Sequence, residues 1–244
     1  MPRSFGWVVL LVAAASVASA AERRVPQVPV SGTALADYFK SVGENIDVHR
    51  DQLDLQTLNL GPAGFFGPVF QVYGYTTDTG DTLGVYNDHV LPPTPERYAV
   101  LPGDLIAIPL ELHAWAGFRK SQAQQVQLVV KLLDVFDQQV GSRTYGAGPP
   151  DGNHFGPPDP TQFGFYIERK NGATIYMQDV RNPNGAPKIL TYACSSPGCI
   201  WLACETGYDT DGDFADFIAL VDLNQPAIVP VSRASWGALK QRFH

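Results

Sequence analysis

Charge and sulfur are both scarce in this sequence. Asp, Glu, Lys and Arg make up 17% of its 244 residues, beside three cysteines and two methionines. A basic excess is missing altogether. The 24 acidic residues outnumber the 17 basic ones, for a formal net charge of -7. A nucleic-acid binder needs a basic footprint, so that class is set aside. With 45% hydrophobic residues the chain is not disordered, and its 23 glycines follow no collagen-like period. Common catalytic signatures are absent too. There is no Gly-x-Ser-x-Gly elbow and no glycine-rich phosphate loop. His49, His89, His113 and His154 lack zinc-protease spacing. His113 alternates within an apolar strand and reads as a core or surface residue, and His154 as an exposed loop residue. Past the N-terminal segment, no apolar run is long enough to span a bilayer.

That N-terminal segment reads as a cleavable secretory signal over residues 1–20. Arg3 supplies the positive start, residues 5–15 form a short apolar stretch, and Ala18-Ser19-Ala20 offers small residues for cleavage after Ala20. The expected location is therefore extracellular or periplasmic, with no membrane span in the mature chain. An oxidising compartment permits a disulfide. Cys194, Cys199 and Cys204 allow one local bridge and leave one thiol over, with the pairing open.

Residues 21–60 read as a proline-punctuated lead with one short helix. Thr33 is placed to cap a helix over residues 34–43, with Leu35, Tyr38, Phe39 and Val42 at helical spacing and Gly43 at its end. From residue 61 to about 230 the texture is that of an all-β sandwich, jelly-roll-like. Short runs rich in aromatic and β-branched residues are separated by Gly, Pro, Asn and Asp. Residues 121–140 fit either a long strand or an inserted helix. The stripe Val126, Val129, Leu133, Phe136, Val140 favours the helix. Residues 146–160 read as a loop, 182–187 as a turn and 231–244 as a tail. Trp115, Trp201, Tyr73, Tyr75, Tyr166 and Tyr176 fall in strands. They suit a core better than a sugar-stacking surface.

The densest polar cluster is residues 205–216, which hold Glu205, Asp209, Asp211, Asp213 and Asp216. Five carboxylates so close repel one another unless a cation neutralises them. Calcium takes hard oxygen ligands from flexible acidic loops. A helix-loop-helix calcium site is excluded, because counting from Asp209 puts Phe214 at the position that needs Gly and Leu220 at the position that needs Glu. The expected site is a loop before a strand, with calcium as its ion. The alternative is a solvated acidic turn.

The order of several motifs resembles a bacterial exported-protein family, the domain of unknown function four-one-one-four, often found in exosortase-sorted proteins. The residues that carry the resemblance begin with Gly43-Glu44-Asn45-Ile46-Asp47-Val48 and Asp51-Gln52. Leu83-Gly84-Val85-Tyr86-Asn87, Phe163-Gly164-Phe165-Tyr166-Ile167 and Tyr176-Met177-Gln178-Asp179 follow. Asn182, Asn184-Gly185 and Lys188-Ile189-Leu190-Thr191-Tyr192 come next, then Glu205 with Asp211-Gly212-Asp213-Phe214-Ala215-Asp216-Phe217. The resemblance implies a β-sandwich and a metal-binding acidic turn. Glu205, Asp211, Asp213 and Asp216 would be its main acids, and Asp209 a secondary one. Ala215 stands where the family's pattern has Asn. The C-terminus lacks a sorting signal of the family's type, which implies release rather than surface attachment.

These readings predict an exported, non-enzymatic, calcium-stabilised module for adhesion, matrix or glycan contact. Its partner would be a glycan or a surface protein. The alternative is a secreted polysaccharide-acting hydrolase with structural calcium and two catalytic carboxylates. A third reading is a structural part of a larger surface assembly.

Overall fold

A computed structural model describes residues 21–62, 69–76, 80–88, 96–103, 113–134, 136–146, 158–207 and 211–225. The expected signal, the expected tail, His89, His154, most of the 146–160 loop and Asp209 lie outside the described residues.

The fold is all-β. After helix α1 (Ala34–Ser41) come β1 (Gln52–Leu53), β2 (Val69–Thr76), β3 (Thr82–Asn87), β4 (Arg97–Leu101), β5 (His113–Lys120) and β6 (Val126–Leu133). Then follow β7 (Gln139–Tyr145), β8 (Phe163–Glu168), β9 (Thr174–Tyr176), β10 (Ile189–Ala193), β11 (Cys199–Cys204) and β12 (Phe217–Gln225). Of two short 3-10 turns, Pro183–Gly185 falls in the turn expected at 182–187 and Asp179–Arg181 directly precedes it. The strands form two antiparallel sheets. One runs β1-β10-β11-β12-β2-β5-β6-β7 and the other β4-β3-β8-β9. Among the described residues, no helix is long and apolar enough to cross a membrane.

Alternation along each strand sends one set of side chains inward and the next outward. The inward set from both sheets makes the main core, in which Phe70, Phe118, Phe163 and Phe165 pack ring against ring. On the large sheet the outward residues Leu190 and Tyr192 (β10), Trp201 and Ala203 (β11) and Ile218 and Leu220 (β12) are also apolar. The N-terminal lead covers them with Val30, Leu35 and Phe39. Phe39 meets Tyr192 and Trp201 edge-on, at 5.3 and 5.6 Å between ring centroids.

The lead is fastened at several points. The Gln52 side chain accepts from the Val28 N–H and donates to the Val28 and Val48 carbonyls. Arg24 pairs with Asp179 at 2.6 Å. The helix stops as expected. The Glu44 N–H donates to the Phe39 carbonyl and the Gly43 N–H to the Lys40 carbonyl, with Gly43 at φ +80°. This two-bond ending needs a left-handed residue after the cap, a place suited to glycine. Thr33 sits at the other end but makes no side-chain cap bond.

The small sheet covers its outer face with its own side chains. Register pairs Gly84 with Tyr166 and Tyr86 with Gly164 across β3 and β8. A Cβ on Gly84 would lie 2.5 Å from the Tyr166 ring, and one on Gly164 2.6 Å from the Tyr86 ring. Each tyrosine therefore lies flat on the opposite strand's glycine. Arg181 and Arg97 sit over these rings, at 5.2 and 5.4 Å from the centroids of Tyr86 and Tyr166.

The helix expected within residues 121–140 is corrected: this segment is the β6–β7 hairpin. Its buried residues Leu128, Val130 and Leu132 recur at two, not at three and four. Phe136 and Val140 of the supposed helical stripe are 76% and 59% exposed. Pairing with β5 over eight register positions outweighs the weak helical pattern. Asp134 makes the turn, its Oδ1 accepting from the Phe136 and Gln138 N–H groups.

Candidate metal centre

The site grows from the end of β11. Cys199–Cys204 is buried along its whole length, and the Glu205 N–H still donates to the Lys188 carbonyl, so Glu205 is carried into the interior with its strand. It is only 3% exposed. The loop that follows must bring the chain back to β12. Asp216 organises that return, its Oδ2 accepting from the Thr206 N–H at 2.7 Å, the Thr206 hydroxyl at 3.0 Å and the Gly207 N–H at 3.2 Å.

Two consecutive aspartate turns shape the stretch before β12. Asp211 Oδ1 accepts from the Asp213 N–H at 3.0 Å, and Asp213 Oδ1 accepts from the Ala215 N–H at 2.7 Å. Short acidic side chains favour such local bonds. Gly212, between them, takes φ +76°. Phe214 has φ +57° and is buried. A bulky residue in that region costs about 1–3 kcal/mol and persists only where its surroundings hold it.

The result is a three-carboxylate cluster. One oxygen each from Glu205, Asp211 and Asp213 lies within 4.8 Å of the others. Glu205 forms the floor, Asp213 is half-buried and Asp211 is exposed. Both Glu205 oxygens are buried; the Phe214 N–H lies close enough to act on the carboxylate, but neither oxygen closes a full hydrogen bond among the described residues. Burial raises the Glu205 pKa above the ordinary carboxylate range. The Asp216 carboxylate raises it further, Lys188 and the Phe214 N–H oppose the rise, and Asp211 adds to it.

A cation fits this donor set. Calcium–oxygen bonds of about 2.3–2.6 Å place opposed ligands about 5 Å apart, matching the observed spacing. The ligand type is hard oxygen throughout, which suits calcium and not a soft metal. A buried carboxylate without a full hydrogen bond is costly, and a bound ion would supply the missing partner.

Of the five acids expected here, the structure brings together Glu205, Asp211 and Asp213. Asp216 lies beside them with one oxygen committed to the turn. Asp209 lies outside the described residues. The site has no cysteine. Cys194 and Cys199 form the expected local disulfide at a Cα–Cα distance of 5.7 Å, and burial pushes the thiol of the third, Cys204, well up. Among the expected strand aromatics, Trp201 and Tyr166 are buried, while Trp115, Tyr73 and Tyr176 are half-buried. The side chain of Tyr75 lies outside the described residues. His113 is buried, with Nε2 3.1 Å from Asp137 and its ring stacked on Tyr73. The turn-tying role of Asp216 was not expected. It links positions ten apart, and no local spacing signals it.

No family model, curated protein or solved structure matches this chain. The resemblance set out above therefore rests on its own motifs.

Proposed function

We propose that this protein is an exported, non-enzymatic β-sandwich module that calcium holds in shape for extracellular adhesion, matrix or glycan contact. Glu205, Asp211 and Asp213 hold the ion, and Asp216 keeps their loop in register. The observation that carries this reading is the buried Glu205 carboxylate, which faces two aspartates and closes no full hydrogen bond among the described residues. Export is supported by the signal-like residues 1–20, and a glycan or surface protein is the partner expected of such a module.

Thermal unfolding with calcium against chelator tests it. A ligand present at about a hundred times its Kd adds about 2.7 kcal/mol, or about 5–10 °C in Tm for a chain of this size. The Asp211→Asn, Asp213→Asn double variant is expected to lose that rise. A wild-type Tm unmoved by calcium rules the site out.

A further inference from the structure

The loop that carries Asp211 and Asp213 also touches the N-terminal lead. The Ser31 N–H donates to the Gly212 carbonyl at 2.9 Å. A Cβ on Gly212 would stand 3.4 Å from the Ser31 Oγ, so the two segments pass close together. Phe214 is buried in the same cluster as Val30, Leu35 and Phe39 of the lead and Trp201 and Tyr192 of the sheet. Four successive residues thus alternate in their duties. Asp211 and Asp213 face the cation cluster, and Gly212 and Phe214 face the lead.

We propose that the cation site is a latch on the lead. A divalent cation held by Glu205, Asp211 and Asp213 fixes the Gly212 carbonyl and the Phe214 ring where they seat residues 28–42 on β10–β12. Its removal frees that segment and uncovers the apolar sheet face beneath it. The inference rests on the cation reading above. Without an ion, three carboxylates within 4.8 Å of one another repel. They separate by moving the Asp211–Asp213 arm, because Glu205 is fixed at a strand end. That movement carries Gly212 and Phe214 away from the lead. An open loop with spread carboxylates binds the cation less well than the closed one. This difference in affinity lets the ion shift the equilibrium.

The fastenings at and beyond the ends of this stretch do not involve the loop. Arg24 pairs with Asp179, Gln52 holds Val28 and Val48, and Glu44 accepts from the Ser195 N–H and hydroxyl. Release is therefore expected in the middle of the lead, at α1 and the residues before it, with both ends still tied.

Hydrogen–deuterium exchange on the full chain, in millimolar calcium and in chelator, tests the latch. Amides of residues 28–42 are expected to exchange about tenfold faster in chelator, with β3 and β8 unchanged. Glu205→Gln removes the buried charge and is expected to abolish the difference. Ser31→Pro leaves all three carboxylates but removes the donor to Gly212. It is expected to keep calcium binding by calorimetry and to lose most of the exchange response. If calorimetry shows calcium binding to the wild type while residues 28–42 exchange alike in both conditions, the latch is overturned and the cation site stands. If calcium does not bind, both fall. A full-sized response that survives in Glu205→Gln or in Ser31→Pro also overturns the latch.

Discussion

The two sheets solve the same problem differently. Each has an outer face that must be shielded from water. The small sheet shields its own, with Tyr86 and Tyr166 laid on the glycines of the facing strand and arginines above them. The large sheet borrows the cover of its β10–β12 part from the N-terminal lead, whose Leu35 and Phe39 pack over Tyr192 and Trp201. Self-made cover shares the fate of the strands that carry it. Borrowed cover is a separate segment, and it can loosen while the sheet beneath keeps its hydrogen bonds.

Truncating the ring at the centre of the borrowed cover should show this most strongly. Phe39→Ala is expected to cost about 4 kcal/mol, the usual range for a fully buried phenylalanine. Amide exchange should place the loss in residues 28–42. Equal loss of protection in β3 and β8 would erase the distinction between the sheets. Gly84→Ala comes next, at about 3 kcal/mol, because the added methyl meets the Tyr98 carbonyl oxygen as well as the Tyr166 ring, and a backbone atom does not step aside. Denaturant unfolding should report this cost as a global one, without a separately melting lead. The smallest effect belongs to the disulfide. Replacing Cys194 and Cys199 by alanine opens a six-residue loop worth about 2 kcal/mol on the chain-entropy scale. The loop borders the lead through Ser195 and Glu44. Faster exchange confined to residues 40–46 and the β10–β11 hairpin would place the bridge on the borrowed side.

Much of the fold could be read from residue order. Runs such as Cys199–Cys204 and Phe163–Glu168 are too aromatic and β-branched for loops and too short for helices, and they are strands. Gly43 ended the helix for a local reason that the sequence displays. The segment 121–140 is ambiguous in sequence because two periodicities overlap there. Val126, Val129 and Leu133 satisfy a helical stripe, while Leu128, Val130 and Leu132 satisfy a strand. Only the presence of β5 beside them decides between the two. At the site, carboxylate density pointed to Glu205, Asp211 and Asp213. Which acid is buried was not visible, since that depends on Glu205 continuing the β11 pairing with Lys188. Contacts between Ser31 and Gly212, far apart in the chain, leave no trace in spacing.

The reciprocal glycine–tyrosine pairs also act as an error check during assembly. In the native alignment of β3 and β8 each ring finds a glycine. A slip of two residues keeps the apolar faces correct, so burial alone would not reject it. Such a slip sets Tyr86 against Tyr166 in one direction and Gly84 against Gly164 in the other. The first crowds two rings into one space, and the second leaves a gap. A misaligned β3–β8 pair is thereby penalised by shape rather than by polarity.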